Sequence, residues 1–296
     1  MKKYSVLAII ITLFCINCNS DNSENISFEW EKLCDGLDFP EGPAISDNGD
    51  VYFSNCHGGW IGVYSNGKLD TFLIPEDDSW ERTNGMVFKD GFLYACEYGV
   101  GKIMKIDLDG NIEDYVTQYN GKLFNRPNDL IFDSEGNLYF TDPKNWGPDK
   151  LDGRVFLVRK DTREVVLIQE GLAFPNGIGI NPINGKLIVA ESAKSRVLSF
   201  DIAEDGTITN KQVFVELPGA DPDGFNFDIK GNCYITHHGT GKLFIVDISG
   251  NILETIETPG IKPTNIEFGG KDMKTLYLTE CETNALYKRN NKVKGL

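Results

Sequence analysis

RPNDLIFDSEGNLYFTD, residues 126–142, carries the plan of the whole chain in one stretch. It opens on a polar motif, Arg126-Pro127-Asn128-Asp129, and continues as the apolar run Leu130, Ile131 and Phe132. A Gly-bearing turn, DSEGN from Asp133, leads into a second apolar run that ends in Thr141 and Asp142. Apolar runs this short, bounded by Asn, Asp and Gly, read as strands rather than helices. The unit recurs upstream and downstream. Its openings are FPEGPAIS at Phe39, RTNGMVF at Arg82, FPNGIGIN at Phe174, DPDGFNFD at Asp221 and KPTNIEF at Lys262. The matching second strands are DVYFSN, FLYACE, KLIVAE, NCYITH and TLYLTE, and a third strand of the type KIMKID follows.

Six such units, spaced about 40–50 residues apart with several strands each and no strong amphipathic helix between them, describe a β-propeller. The expectation is an all-β, six-bladed propeller forming a single domain over residues 27–296. The stretch ISFEWEKL, 26–33, has no unit of its own. It is expected to supply the last strand of the sixth blade, closing the ring and removing an exposed sheet edge. That closure would bring Cys34 toward the blade holding Cys281 and leave open whether the two pair.

Composition agrees with a globular chain: 41% of residues are hydrophobic and 25% charged. Asp plus Glu number 44 against 29 Lys plus Arg, a net charge of −15. Such a surface repels nucleic acid and anionic bilayers, while cations and small neutral molecules are tolerated. Residues 1–18, MKKYSVLAIIITLFCINC, hold two lysines, an apolar run too short to span a bilayer and a terminal Cys18. The segment resembles a bacterial lipoprotein signal with Cys18 as the lipidated residue, although Asn17 stands where a small residue is usual. Residues 19–26 read as a polar linker. The protein is expected to be exported to a bacterial cell envelope and to touch membrane only through this lipid anchor, with soluble secretion as the alternative. The remaining five cysteines share no metal-type spacing and are odd in number.

In a propeller the first strand of each blade lines the central channel. The polar residues at the starts of those strands, Glu41, Asn84, Asn128, Asn176, Asp223 and Asn265, are therefore expected to converge at one end of it. All six offer oxygen, and two carry charge. An oxygen ring of that kind suits a hard divalent cation, Ca²⁺ first, and the absence of Cys and His argues against a structural zinc site. Single Asn or Asp residues before strands are common turn formers; six in register are harder to explain that way. Asn84 and Asn265 are the members expected to be structural.

At these motifs the chain resembles the gluconolactonase and regucalcin family of six-bladed propellers. The matching pieces are Glu41-Gly42-Pro43, Arg126 to Asp129, Phe140 to Pro143, Pro175 to Gly177 and Pro222 to Gly224. The resemblance implies that Glu41, Asn176 and Asp223 hold a divalent metal, with Asn128 near it, and that Arg126 and Asn128 contact substrate. Leu130 departs from the Gly that often follows this motif. The implied activity is hydrolysis of a small-molecule lactone, a sugar aldonolactone in particular. The implied cofactor is one divalent ion, Ca²⁺ ahead of Mg²⁺, Mn²⁺ or Zn²⁺. In that reading the metal polarises the carbonyl and Asp223 takes a proton from the attacking water, while Arg126 grips substrate oxygens with its planar fork. A non-catalytic binding propeller, or a lyase or esterase on the same metal site, remains the competing class.

Three histidines, His57, His237 and His238, read as ordinary strand-end residues rather than an essential base. DLDGN at Asp107 resembles the start of an EF-hand loop but lacks its later ligands, and it reads as a hairpin turn, as do DSEGN at Asp133 and DIKGN at Asp228. No G-x-S-x-G elbow is present. PEDDSWER, 75–82, reads as a solvated acidic loop in preference to a lid.

Overall fold

The computed structural model describes residues 27–296. The expected signal at 1–18, its Cys18, and the linker at 19–26 lie outside the described residues. Six four-stranded antiparallel sheets follow one another along the chain, each in meander order from the inside outward. Their innermost strands are Pro40–Ile45, Thr83–Lys89, Leu130–Phe132, Pro175–Ile180, Asp221–Phe227 and Pro263–Gly269. The one helical element among the described residues is the short 3-10 turn Ser192–Lys194. The fold is a six-bladed β-propeller, as the repeat requires.

Closure occurs as expected, with shifted bounds. The outer strand of blade 6 is Glu31–Cys34, antiparallel to Ala285–Asn290, with Glu31 opposite Lys288 and Cys34 opposite Leu286. Cys34 and Cys281 are both free thiols, as are the other three described cysteines. Cys56, Cys96 and Cys233 are buried and serve as small apolar side chains.

The core is divided among the blade interfaces. Between blades 2 and 3, for example, Tyr94, Cys96, Leu130, Phe140 and Phe156 form one buried cluster. Between blades 3 and 4, Tyr139, Leu157, Ile178, Val189 and Leu198 form the next. Alternation along the second strands explains this: successive side chains point to opposite faces, and each face meets a different neighbouring blade.

Two polar positions in the second strand lock the ring. The penultimate one donates a hydroxyl hydrogen bond to the inner strand of the following blade. Ser54 Oγ donates to the Asn84 carbonyl oxygen at 2.6 Å, Thr141 Oγ1 to that of Asn176 at 2.7 Å, and Thr236 Oγ1 to that of Thr264 at 2.9 Å. Ser192 and Thr264 do the same from neighbouring positions, to Pro222 and Pro40. The final position ties down the loop that enters the blade's own inner strand. It is Asn55, Glu97, Asp142, Glu191, His237 or Glu280 in turn, and all six are buried. Glu97 accepts backbone N–H bonds from Glu81, Arg82, Gly99, Val100 and Gly101 at 2.6–3.2 Å. Glu280 likewise accepts from Lys262, Glu282 and Thr283.

These carboxylates organise the channel mouth without facing it. Glu97→Ala leaves five backbone donors, four part-buried and one buried, without their acceptor. It is expected to cost about 3–5 kcal/mol, read as a fall in the urea midpoint with the slope unchanged. The loop at 75–82 is solvated as expected, and it is pinned by Trp80, which is buried in the core beside Ala44 and Met86.

Candidate metal and substrate site at the channel mouth

Five of the six inner strands, all but that of blade 3, begin with a β-bulge, and the bulge aims the polar residue of the motif. In blade 1 the pairing runs Glu41 with Ser54 and then Ala44 with Tyr52, so one extra residue stands on the inner strand. Equivalent slips fall between Thr83 and Met86, Pro175 and Ile178, and Pro222 and Phe225. A bulge breaks the strict two-residue alternation and re-aims a side chain. Here it turns the motif residue up into the mouth while the rest of the strand lines the channel. The glycine after the motif residue lets adjacent inner strands meet backbone to backbone. Gly42 has φ +42°, and a Cβ there would lie 2.4 Å from the Asn84 carbonyl oxygen and 2.7 Å from Gly85 Cα. The ring of six is therefore narrow by construction.

Glu41, Asn84, Asn128, Asn176 and Asp223 line one cavity at the mouth. The sixth expected member does not join them. In blade 6 the residue after the proline is Thr264, whose Oγ1 donates to the Pro40 carbonyl oxygen at 2.7 Å. Asn265 sits one place further in, in the register occupied by glycine in four blades and by Asp129 in blade 3. It lines a lower cavity with Asp129, Asn226 and Glu267. The expected register is thus off by one residue in blade 6, because that motif is Pro-Thr-Asn where the others place the ligand-type residue directly after Pro or Thr. Asn84, expected to be structural, does face the mouth.

Electrostatically the mouth is strained toward a cation. Glu41 and Asp223 are 4% and 8% exposed. Burial holds the Glu41 carboxyl well above its ordinary range, and the charges of Asp223 and Asp129 push it further the same way. Burial also raises Asp223, opposed by the hydrogen bond from Asn176. Among the described residues neither carboxylate makes an ion pair with Lys or Arg. Nor do the described residues contain a group of three or more His, Cys, Asp and Glu placed to hold a metal. The motif residues bring two carboxylates and three side-chain amides to the mouth, a set of hard oxygens that fits a Ca²⁺-type ion.

Arg126 stands on the rim. Its backbone N–H donates to Asp142 Oδ1 at 2.8 Å, and its guanidinium lies 5.6 Å from the centroid of the Tyr98 ring, which lines the mouth. Three further mouth residues escaped the sequence reading. Tyr98 and Trp146 lie in loops with no repeat to flag them. Asp221, half-buried, takes a 3.3 Å bond from the indole N–H of Trp146. It precedes Asp223 by two residues, the spacing that sets two side chains on one face of a strand, and both line the mouth.

The histidines divide. His237 is the blade-5 version of the buried loop anchor, and its Nε2 donates to the Leu217 carbonyl oxygen at 2.9 Å. His57 packs against Phe39 with ring centroids 4.4 Å apart. His238 reaches the mouth cavity, with Nε2 3.6 Å from Cys281 Sγ. Burial and then Lys262 lower the imidazole's pKa. Burial, followed by the charges of Glu41 and Asp223, raises that of the Cys281 thiol. The pair is a neutral contact, not an activated nucleophile.

The order of parts around this mouth matches a known family. Residues 39–282 fit the model described as the SMP-30/Gluconolactonase/LRE-like region. The chain belongs to this family. It is 33% identical over 288 residues to a gluconolactonase of Zymomonas mobilis, covering 86% of this chain and 80% of that one. It is 26% identical to diisopropyl-fluorophosphatase of Loligo vulgaris, covering 88% and 91%. Among solved structures, a gluconolactonase from Xanthomonas campestris superposes with a TM-score of 0.77 at 27% identity, covering 88% of each chain. A calcium-binding regucalcin from Agrobacterium tumefaciens superposes with a TM-score of 0.77 at 19% identity, covering 92% and 96%, a likeness of fold alone. In this SMP-30/gluconolactonase-like chain the Glu, Asn and Asp motifs sit on blades 1, 4 and 5, and Arg126-Pro127-Asn128-Asp129 on blade 3.

Beneath the mouth, the surroundings of Asp129 and Glu267 raise both carboxyls far above the ordinary carboxylate range. Burial pushes Asp129 up to about 7, against bonds from Leu130 N–H and the Asn265 amide. Burial pushes Glu267 up to about 8, opposed by Phe268 N–H and helped by the Asp129 charge. A folded pKa above the ordinary 4.5 of Glu267 means that the folded state binds the extra proton. The stability this contributes is present below about pH 4.5 and is lost as pH rises through about 8. Glu267→Gln is expected to flatten the decline in unfolding midpoint between pH 5 and pH 9, by a few kcal/mol at the alkaline end. An unchanged slope would show that Glu267 does not carry it.

Proposed function

We propose that this protein is a metal-dependent lactonase that opens the ring of a sugar lactone. The observation that carries the reading is the convergence of Glu41, Asn128, Asn176 and Asp223 on one mouth beside the exposed rim cation Arg126. The named relatives act as support: the family includes gluconolactonases, and a regucalcin neighbour is described as calcium-binding.

Glu41, Asn176 and Asp223 would hold a divalent ion, Ca²⁺ first, with the Asn128 amide beside them. Such an ion supplies Lewis acidity to the substrate carbonyl. The chain's own residues do the rest. Asn128 orients the ring by hydrogen bonding, and Arg126 donates to substrate oxygens from the rim. Asp223 accepts a proton from the attacking water. The acyl C–O bond breaks, the ring oxygen takes up a proton, and the product carboxylic acid releases one to solvent. The aromatic wall of Phe39, Phe174 and Tyr98 confines the substrate.

The test is proton release from a panel of aldonolactones in a pH-stat, after chelation and again after adding Ca²⁺, Mg²⁺, Mn²⁺ or Zn²⁺. Restoration of turnover by one of these ions supports the reading. Full activity after chelation removes the metal from it, and inactivity with every lactone, while simple esters are cleaved, replaces lactone with ester.

A further inference from the structure

Immediately before the mouth ring runs a second ring, made by the residues that precede each motif: Phe39, Arg82, Arg126, Phe174, Asp221 and Lys262. In blade order it sets two arginines side by side on blades 2 and 3. Aromatic residues flank this pair, and an acid stands on blade 5. Both guanidiniums rest on one side chain, Tyr98, at 5.9 Å for Arg82 and 5.6 Å for Arg126. Tyr98 is itself held by blade 2, its N–H donating to the Arg82 carbonyl oxygen at 2.9 Å.

These two arginines lack what the chain gives to others. Arg154, Arg159, Arg163 and Arg196 each stand 2.5–3.5 Å from a carboxylate. Arg126 makes no ion pair among the described residues, and Arg82 has only Glu81, at 4.0 Å. The Nε of Arg82 is buried and has no hydrogen-bond partner, the one such side-chain atom among the described residues. A buried donor without a partner costs about 1–3 kcal/mol, and adjacent cations repel. In a chain where acids outnumber bases 44 to 29, a carboxylate for either would be easy to place. The buried Glu97, which accepts from the Arg82 backbone, is already engaged by five backbone N–H groups.

We infer that Arg82, Arg126 and Tyr98 form a subsite for an anionic substituent of the substrate, and that the preferred substrates are lactones bearing a free carboxylate, such as those of sugar diacids. The inference rests on the lactonase reading and deepens it. A carboxylate meets the planar Arg fork with two parallel bonds. Asp221 on the opposite side disfavours the reversed orientation, so the charged end lies over blades 2 and 3 with the lactone carbonyl toward Glu41 and Asp223. A neutral aldonolactone offers only uncharged hydroxyl and carbonyl oxygens to these guanidiniums, without the charge-assisted, two-bond pairing of a carboxylate.

The experiment compares D-glucaro-1,4-lactone with D-glucono-1,5-lactone in turnover, and D-glucarate with D-gluconate in binding by calorimetry. The full described chain is used in wild type, Arg82→Met and Arg82→Lys forms. The wild type is expected to favour the diacid forms by about tenfold or more in kcat/KM and in affinity. Arg82→Met should collapse that ratio mainly through KM, Arg82→Lys should restore part of it, and added NaCl should narrow it. Equal preference in the wild type, or a ratio untouched by Arg82→Met, overturns the inference while neutral-lactone turnover leaves the lactonase reading intact. Selective glucarate binding without turnover of any lactone supports the anion subsite and sinks the lactonase reading. Should Arg82→Met fail to fold, the wild-type ratio and its salt dependence decide alone.

Discussion

Asp223→Asn is expected to lower kcat/KM for lactone hydrolysis by at least about 10³-fold while leaving the fold intact. The amide keeps the shape of the carboxylate and can still bond Asn176. It removes the charge that would hold a divalent ion and the oxygen that would take the proton of water. The stability consequence has the opposite sign. In the wild type Asp223 is buried, its carboxyl is raised by desolvation, and its charge raises that of Glu41. A group with a raised folded pKa contributes stability that is full below its unfolded pKa and is lost progressively as pH rises toward and through the folded one. The metal-free variant should therefore melt at or above the wild-type temperature at neutral pH. Adding Ca²⁺ should raise the wild-type melting temperature and leave that of Asp223→Asn nearly unmoved. Retained turnover in a folded variant would remove Asp223 from the reaction.

The second large effect is on the ring itself. Gly42→Ala places a methyl group 2.4–2.7 Å from three backbone atoms of blade 2, at a left-handed φ of +42°. No side-chain rotation relieves that contact, since the atoms met are Asn84 O, Gly85 Cα and Met86 N. Overpacking plus the left-handed penalty is expected to cost on the order of 4 kcal/mol or more. The variant should appear largely insoluble, or with an unfolding midpoint far below that of Asp223→Asn. A well-folded Gly42→Ala would mean that blades 1 and 2 can separate, and Glu41 would then be misplaced and turnover lost.

The fold was legible because its signal is repeated. Six copies of polar motif, strand, turn and strand average out the ambiguity of any single short apolar run, and the closing strand followed from the one segment without a unit. The four motif residues taken as ligands were legible for the same reason, each standing directly after a proline at a strand start. Asn265 was misplaced by one residue because Pro263-Thr264-Asn265 offers two oxygen-bearing side chains, and only the folded ring shows Thr264 bonded to Pro40 of blade 1 and Asn265 in the lower cavity. Asp221 stands two residues before Asp223, where alternation sets both on one face, but it precedes the proline of its motif and has no acidic counterpart in the other five blades. Tyr98 and Trp146 sit in loops after second and within blade-3 strands, where no periodicity applies. The buried anchors Glu97, Asp142, Glu191 and Glu280 were visible as a repeated acid but read as the end of a strand. Their task, accepting the N–H groups of an irregular loop, is defined only once that loop has folded over them.

The pairing of Glu31 with Lys288 has a kinetic meaning. Joining segments about 250 residues apart carries a loop-closure entropy of roughly 5 kcal/mol, and nothing in the first strand can recover it until the last hairpin exists. Closure is therefore the late event of folding, and five blades must wait as an open arc with two raw edges. A chain shortened before Ala285 keeps that arc indefinitely, offering unpaired strands to its neighbours. Once the clasp is made, unzipping has to begin at the same seam, so a ring that is slow to form is also slow to come apart.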